Sequence, residues 1–269
     1  MARVTAQQIR AAVEVMCSAL RLEQQQLQGL NLRSIDLQRA RMESAELHKS
    51  DLRHADLRGT CLHRANLQEA DLRDADLGKA NLVDASLVRA NLQAAKLIAA
   101  DLSGADLREA DLYGADFSNA TLTEADLRAH DLRDANFDGA IMRAVVMAEA
   151  GLVRTNLRGA DLSGADLHGA DLSGHVLSLM RLDQTNLEDS DLGKTDLKGA
   201  RLGQASLKRA NLKGADLSEA DLGGADLCGA DLSGAAMIGT KYLETKYDSS
   251  TKWPEGFVVA FAQGLTEVS

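Results

Sequence analysis

The chain has 269 residues, with 30 lysines and arginines against 40 acids, and a formal charge of −10 at pH 7. That charge excludes a histone-like binder of nucleic acid. Apolar residues make up 45% but aromatics only 3%, so any core must be built from leucine and alanine rather than from large rings.

At the N-terminal end, Thr5 and Gln8 have the spacing of a helix capping box, and Val4 with Ile9 that of a hydrophobic staple. Ile9, Val13, Met16 and Leu20 follow at helical spacing. The pattern predicts an amphipathic helix over about 6–24, and residues 1–25 are read as a helical cap. Glu14 and Glu23 offset Arg10 and Arg21, so this helix lacks the basic face of a membrane-surface helix. Arg10 and Glu14 also interrupt the stretch where the apolar part of a secretion signal would lie.

From Leu27 to Met237, every fifth residue is Leu, Met or Phe, 43 consecutive positions without a frame break. These are called centres below. Two residues before each centre the residue is mostly Ala, as at Ala55, Ala65, Ala70 and Ala75. The residue just before the centre is Asp or Asn at 28 of the 42 positions from 31 to 236. The two residues after it are mostly polar, charged or glycine.

A period of five fits neither a helix nor a strand. It fits a corner at every step, and four corners close a square coil of twenty residues. Four large and four small side chains then point inward, which close packing allows and eight large ones would not. Coils stacked at the parallel-strand spacing give a rod of roughly 50 Å and 10 to 11 coils. Short acids before the centre suit hydrogen bonding to turn N–H groups, and glycine after it suits positive φ. Phe117 and Phe137 are twenty apart and should stack vertically.

The units Ala100–Gly104, Ala160–Gly164, Ala170–Gly174 and Ala230–Gly234 all read Ala-Asp-Leu-Ser-Gly. They resemble the A-(D/N)-L-x-x consensus of pentapeptide repeat proteins, and the resemblance covers residues 26–240. It implies an all-β solenoid, a right-handed quadrilateral parallel β-helix. The handedness comes from the resemblance alone.

Some units break the consensus while keeping the frame. The Asp/Asn position becomes Ile141, Val146, Gly151, Val176 and Arg181, and Leu179 takes a normally polar outer position. His130, His175 and Met180 occupy the small inward position. Val146, Val153, Val176 and Leu179 are candidates for an exposed apolar patch that meets a partner.

The tail, 241–269, holds Tyr242, Tyr247, Trp253, Phe257 and Phe261, five of the eight aromatics. The segment Tyr247–Phe257 is similar to the tail of cyanobacterial members of the family. Pro254 is placed to open a short helix to about Ala262, with Gly264 ending it. The tail is read as a C-terminal cap, and Trp253, Phe257 and Phe261 as candidates for a homodimer contact.

Little in the chain points to catalysis. His48, His54, His63, His130, His168 and His175 lack metal-ligand spacing, and the phosphate-loop, dinucleotide and nucleophile-elbow motifs do not occur. No cofactor is called. Cys17, Cys61 and Cys228 cannot build a disulfide framework, which points to a reducing compartment and a cytoplasmic location. No run of 18 apolar residues occurs. The sequence predicts a non-enzymatic interaction scaffold, monomeric or dimeric through its tail, with no membrane contact.

The resemblance implies an alternative partner, DNA gyrase, which some family members bind by imitating duplex DNA. The charge layout argues against it. The two positions after each centre hold 20 Lys/Arg and 13 Asp/Glu, where a mimic should show unbroken negative stripes. Arg33, Arg53 and Arg73 instead form a basic column at twenty-residue spacing, a candidate partner contact. Without interleaved aromatics they are poorly suited to bind nucleic acid directly.

Overall fold

The computed structural model describes residues 4–15, 20–259, 262 and 264–268. Met16, Cys17 and Phe261 lie outside the described residues.

The five-residue frame sets the backbone pattern. Parallel bridges join the residue before nearly every centre to the one twenty further on, and four columns result. The first face carries Arg21, Arg41 and Cys61 on to Lys241, and the second starts at Gln26, the third at Asn31 and the fourth at Asp36. The first coil shows the bonding that the rest repeat. The Leu22 N–H donates to the Arg41 carbonyl at 2.7 Å, and the Gln24 N–H to the Glu43 carbonyl at 2.9 Å. The Gln25 N–H donates back to the Leu22 carbonyl at 3.2 Å and closes a four-residue turn.

The third residue of this turn has positive φ and the second does not, which is type II geometry. Glycine fills only part of these corners. Gln24, Arg39, Ala99 and Leu179 adopt φ of 57°, 57°, 56° and 61°. Each such non-glycine corner costs about 1–2 kcal/mol, so the inter-coil ladder and the core override local preference.

The interior is filled. The centres from Leu27 to Leu232 are buried, and so are the alanines in the small inward position. Phe117 and Phe137 stack with ring centroids 4.9 Å apart and planes 3° apart, as their spacing predicts. Where the small inward residue is Thr, its hydroxyl donates to a centre carbonyl of the previous coil: Thr60 to Leu37, Thr155 to Leu132, Thr195 to Leu172. The second lone pair of that carbonyl is thereby used, so a buried hydroxyl is tolerated among hydrocarbons.

Both ends differ from the sequence reading. The helix α1 is Ala6–Val15, not 6–24. Its capping box is formed: the Thr5 N–H donates to Gln8 Oε1 and the Gln8 N–H to Thr5 Oγ1. Ile9 is buried in the main core. Leu20 already belongs to the coil, because its carbonyl accepts the Arg41 N–H at 2.8 Å, and Leu22 is the first buried centre. Pairing with the next coil satisfies backbone groups that a longer helix would have held internally.

At the other end the bridges continue past 240, to Lys246 and Lys252. The strand β1, Thr245–Tyr247, pairs in parallel with β2, Leu265–Glu267, again twenty residues on. Among the described residues there is no α-helix between Pro254 and Ala262; the chain turns at 255–256 instead, with the Phe257 N–H donating to the Pro254 carbonyl. Gly264 is no helix stop. A Cβ there would lie 2.9 Å from the Leu243 Cα, so glycine lets the tail lie directly on the last coil.

Candidate functional site

The surface is dominated by one repeated bond. Each of the 28 Asp and Asn residues before a centre accepts, through its Oδ1, the N–H two residues on. These acids therefore hold turns. Where the next outer residue is Arg, its guanidinium folds back onto the same carboxylate. Arg53 Nη2 lies 2.7 Å from Asp51 Oδ2, and Arg73 Nη2 lies 2.6 Å from Asp71 Oδ2. The Arg53 hydrogen bond holds the Asp51 carboxyl down at about 2. Two members of the basic column Arg33, Arg53 and Arg73 are thus neutralised locally. The backbone carbonyl of the third, Arg33, accepts a hydrogen bond from Arg10 on α1 at 2.9 Å.

The inter-coil ladder opens in two places that the sequence reading did not foresee. Bridges are absent between Asp106 and Asp126, between Asp111 and Asp131, between Gly151 and Asp171, and between Asn156 and Val176. His130 and His175 lie in the later coil of each pair, in the slot that most coils fill with Ala, Ser or Thr. Their Nε2 atoms lie 2.8 Å from the Leu107 carbonyl oxygen and 2.9 Å from that of Leu152. That is the contact a threonine hydroxyl makes elsewhere, but the imidazole is much larger and holds the two coils apart. The signal was present as two histidines in a small-residue column; its consequence depends on the neighbouring coil. Met180, in the same kind of slot, is buried, and the bridge from Asp161 to Arg181 beside it survives.

The candidate apolar residues separate. Val146 is half-buried on the second face. Val176 lies on the opposite, fourth face and is 56% exposed. Val153, 52% exposed, sits at the turn leading onto that face one coil earlier. Leu179, 80% exposed, stands at the turn leaving it. An open groove of 420 Å³ runs along the second ladder opening, lined in part by Arg154, Asn156, His175 and Val176.

In the tail, Trp253 and Phe257 stack at 4.7 Å, and Tyr242 and Tyr247 meet them edge-on at 6.0 and 5.7 Å. Tyr242 and Trp253 pack on the main core. His48, His54 and His63 sit at turns after the second, third and first faces and are not brought together. Among the described residues, no three His, Cys, Asp or Glu side chains are grouped to hold a metal ion. Nor is any helix among them long and apolar enough to cross a membrane.

The chain is similar to several proteins of solved structure. HetL, a pentapeptide repeat protein involved in heterocyst differentiation regulation in Nostoc sp. strain PCC 7120, is 29% identical over 91% of this chain and 97% of its own, with a TM-score of 0.32. QnrB1, a plasmid-mediated fluoroquinolone resistance protein, is 17% identical over 80% of this chain and 90% of its own, with a TM-score of 0.28. A thylakoid-lumen pentapeptide repeat protein of Arabidopsis thaliana is 28% identical over 52% of this chain and 66% of its own, with a TM-score of 0.17. No curated protein matches the chain. The family model for pentapeptide repeats matches in eight copies, over 26–199 and 205–241. Together with the four-sided coil of five-residue steps, this match makes the chain a member of the pentapeptide repeat family.

Proposed function

We propose that this protein is a non-enzymatic interaction scaffold of the cytoplasm, with its helix and tail closing the two ends of the rod. The observation that carries the reading is the filled interior. Leu, Ala and Phe, with a few Met, Thr and Ser, fill the coil from Leu27 to Leu232, so among the described residues the interior of the coil leaves no room for a substrate, and recognition falls to the outer surface. Gyrase binding by charge imitation is the weaker reading. The acids that would replace phosphates are bonded to turn N–H groups, and several are also paired with arginine. The tail aromatics stack within one chain, which favours a monomer over a tail-mediated dimer.

The test is capture from lysate with the purified chain as bait, beside a Val176→Asp, Leu179→Asp variant of unchanged circular dichroism. One dominant protein held by the native bait and lost from the variant is the expected result. Recovery of both gyrase subunits would replace the scaffold reading with the mimic. Light scattering of the intact chain should give the monomer mass.

A further inference from the structure

The scaffold reading leaves open which surface recognises a partner and what that partner looks like. We infer that the fourth face around Val176 is a docking site for an acidic, extended segment of another protein, anchored by an apolar side chain. The inference rests on the scaffold reading and names its surface.

Three successive coils build the site. Val176 lies between Asn156 below it and Asp196 above it in the fourth-face column. The turns on either side place Arg154 and Arg158 in the lower coil and Lys194 and Lys198 in the upper one, all exposed. Asp196 is the one acid among these outward positions, so this small area is cationic on a chain of net charge −10. Arg154 pairs with Asp134 and Lys198 with Glu219, whereas Arg158 and Lys194 make no ion pair among the described residues. The outward positions around Val146 on the opposite face carry Glu124, Asp126, Glu149 and Asp166 against Arg128 and Arg143. The exposed Val176 and the half-buried Val146 thus face surroundings of opposite charge.

The middle of the site is apolar and sculpted. Leu179 stands in a column of glycines, Gly139, Gly159 and Gly199, and a Cβ on Gly199 would lie 2.8 Å from its Cδ2. The glycines leave the leucine proud of the surface. Val176 lines the 420 Å³ groove, and the exposed Val153 is the neighbour in sequence of Arg154, which also lines it.

The backbone supplies a third element. Because His175 holds the coils apart, the bridge from Asn156 to Val176 is absent, and the Val176 N–H and C=O find no partner among the described residues. The Leu157 N–H, which would have bonded Val176, is likewise unpaired among the described residues. An extended segment laid along the groove offers a backbone for these groups, carboxylates for the cations and one apolar side chain for the valines and Leu179. A basic or polyanionic rigid partner matches only part of this.

The probe is a fluorescein-labelled hexapeptide of alternating glutamate and leucine, followed by fluorescence anisotropy with the full chain. Two control peptides replace glutamate by lysine or leucine by serine. The expected result is binding of the glutamate–leucine peptide alone. It should weaken about tenfold in Leu179→Ser and in Arg158→Glu, and in rising salt. Val146→Ser on the opposite face should bind as the native chain does. No binding of the first peptide, equal binding of the lysine peptide, or unchanged binding in both Leu179→Ser and Arg158→Glu would overturn the assignment. The scaffold reading would survive any of these results, because it is tested by lysate capture on the whole surface. Leu179 and Arg158 are exposed and Val146 only half-buried, so the variants should fold, and circular dichroism checks this.

Discussion

The imidazole Nε2 of His175 lies 2.9 Å from the carbonyl oxygen of Leu152, where Thr195, one coil later, places a hydroxyl on the Leu172 carbonyl. One hydrogen bond is kept while the larger ring opens the ladder beside it. His175→Thr should therefore keep the bond and close the gap. Restored pairing of Val176 with Leu157 and Thr155 should raise unfolding free energy by about 1–2 kcal/mol. Slower amide exchange at Val176 and Leu157 is the decisive measurement. Unchanged exchange would mean that the opening has another cause. The same closure should weaken the glutamate–leucine peptide.

The stacked pair Phe117 and Phe137 fills a column that is otherwise leucine or methionine. Phe137→Leu returns the site to the residue its neighbours carry and should cost less than about 1.5 kcal/mol. Phe137→Ala leaves a cavity and should cost about 3–5 kcal/mol. Urea midpoints of the two variants separate these outcomes.

Several corners carry alanine in a conformation that suits glycine: Ala99, Ala129 and Ala144 have φ of 56°, 54° and 52°. Glycine relieves about 1–2 kcal/mol of left-handed strain and gives back about 0.5–1 kcal/mol through the freer unfolded chain. Each of Ala99→Gly, Ala129→Gly and Ala144→Gly should thus raise the melting temperature slightly. A fall in all three would show that the turn geometry is not strained for alanine.

Acid should weaken the rod in a defined window. The Arg53 hydrogen bond holds the Asp51 carboxyl at about 2 in the folded chain, and arginine hydrogen bonds lower Asp56, Asp71, Asp106 and Asp126 likewise. A lowered folded value means that the unfolded chain takes up protons first. The stabilisation is present above the ordinary carboxylate value near 4 and is lost as pH falls toward 2. Urea midpoints should fall through that interval. Asp51→Asn retains the turn acceptor but not the charge, so its midpoint should fall less steeply; an identical slope would remove Asp51 from the account.

The five-residue frame, unbroken from Leu27 to Met237, determined the coil, its four faces and the vertical contact of Phe117 with Phe137, because a strict period leaves one way to bury every fifth leucine. It also determined the role of the acids before each centre, whose bond is local to two residues. The ends were decided by tertiary structure. Leu20 fits the helical period of Ile9, Val13 and Met16 as well as it fits a coil, and pairing with Arg41 on the next coil chose the coil. The tail followed β1 and the close approach of Gly264 to Leu243 rather than the helical signal of Pro254. The fate of the arginine column was likewise tertiary, since a guanidinium five bonds from its backbone can reach outward or fold back, and Arg53 folds back onto Asp51. The groove beside Val176 had one sequence signal, His175 in the small inward column, but its consequence was not legible there. It exists because a histidine in a slot sized for alanine displaces the adjoining coil, and that steric cost arises only when the coils are stacked.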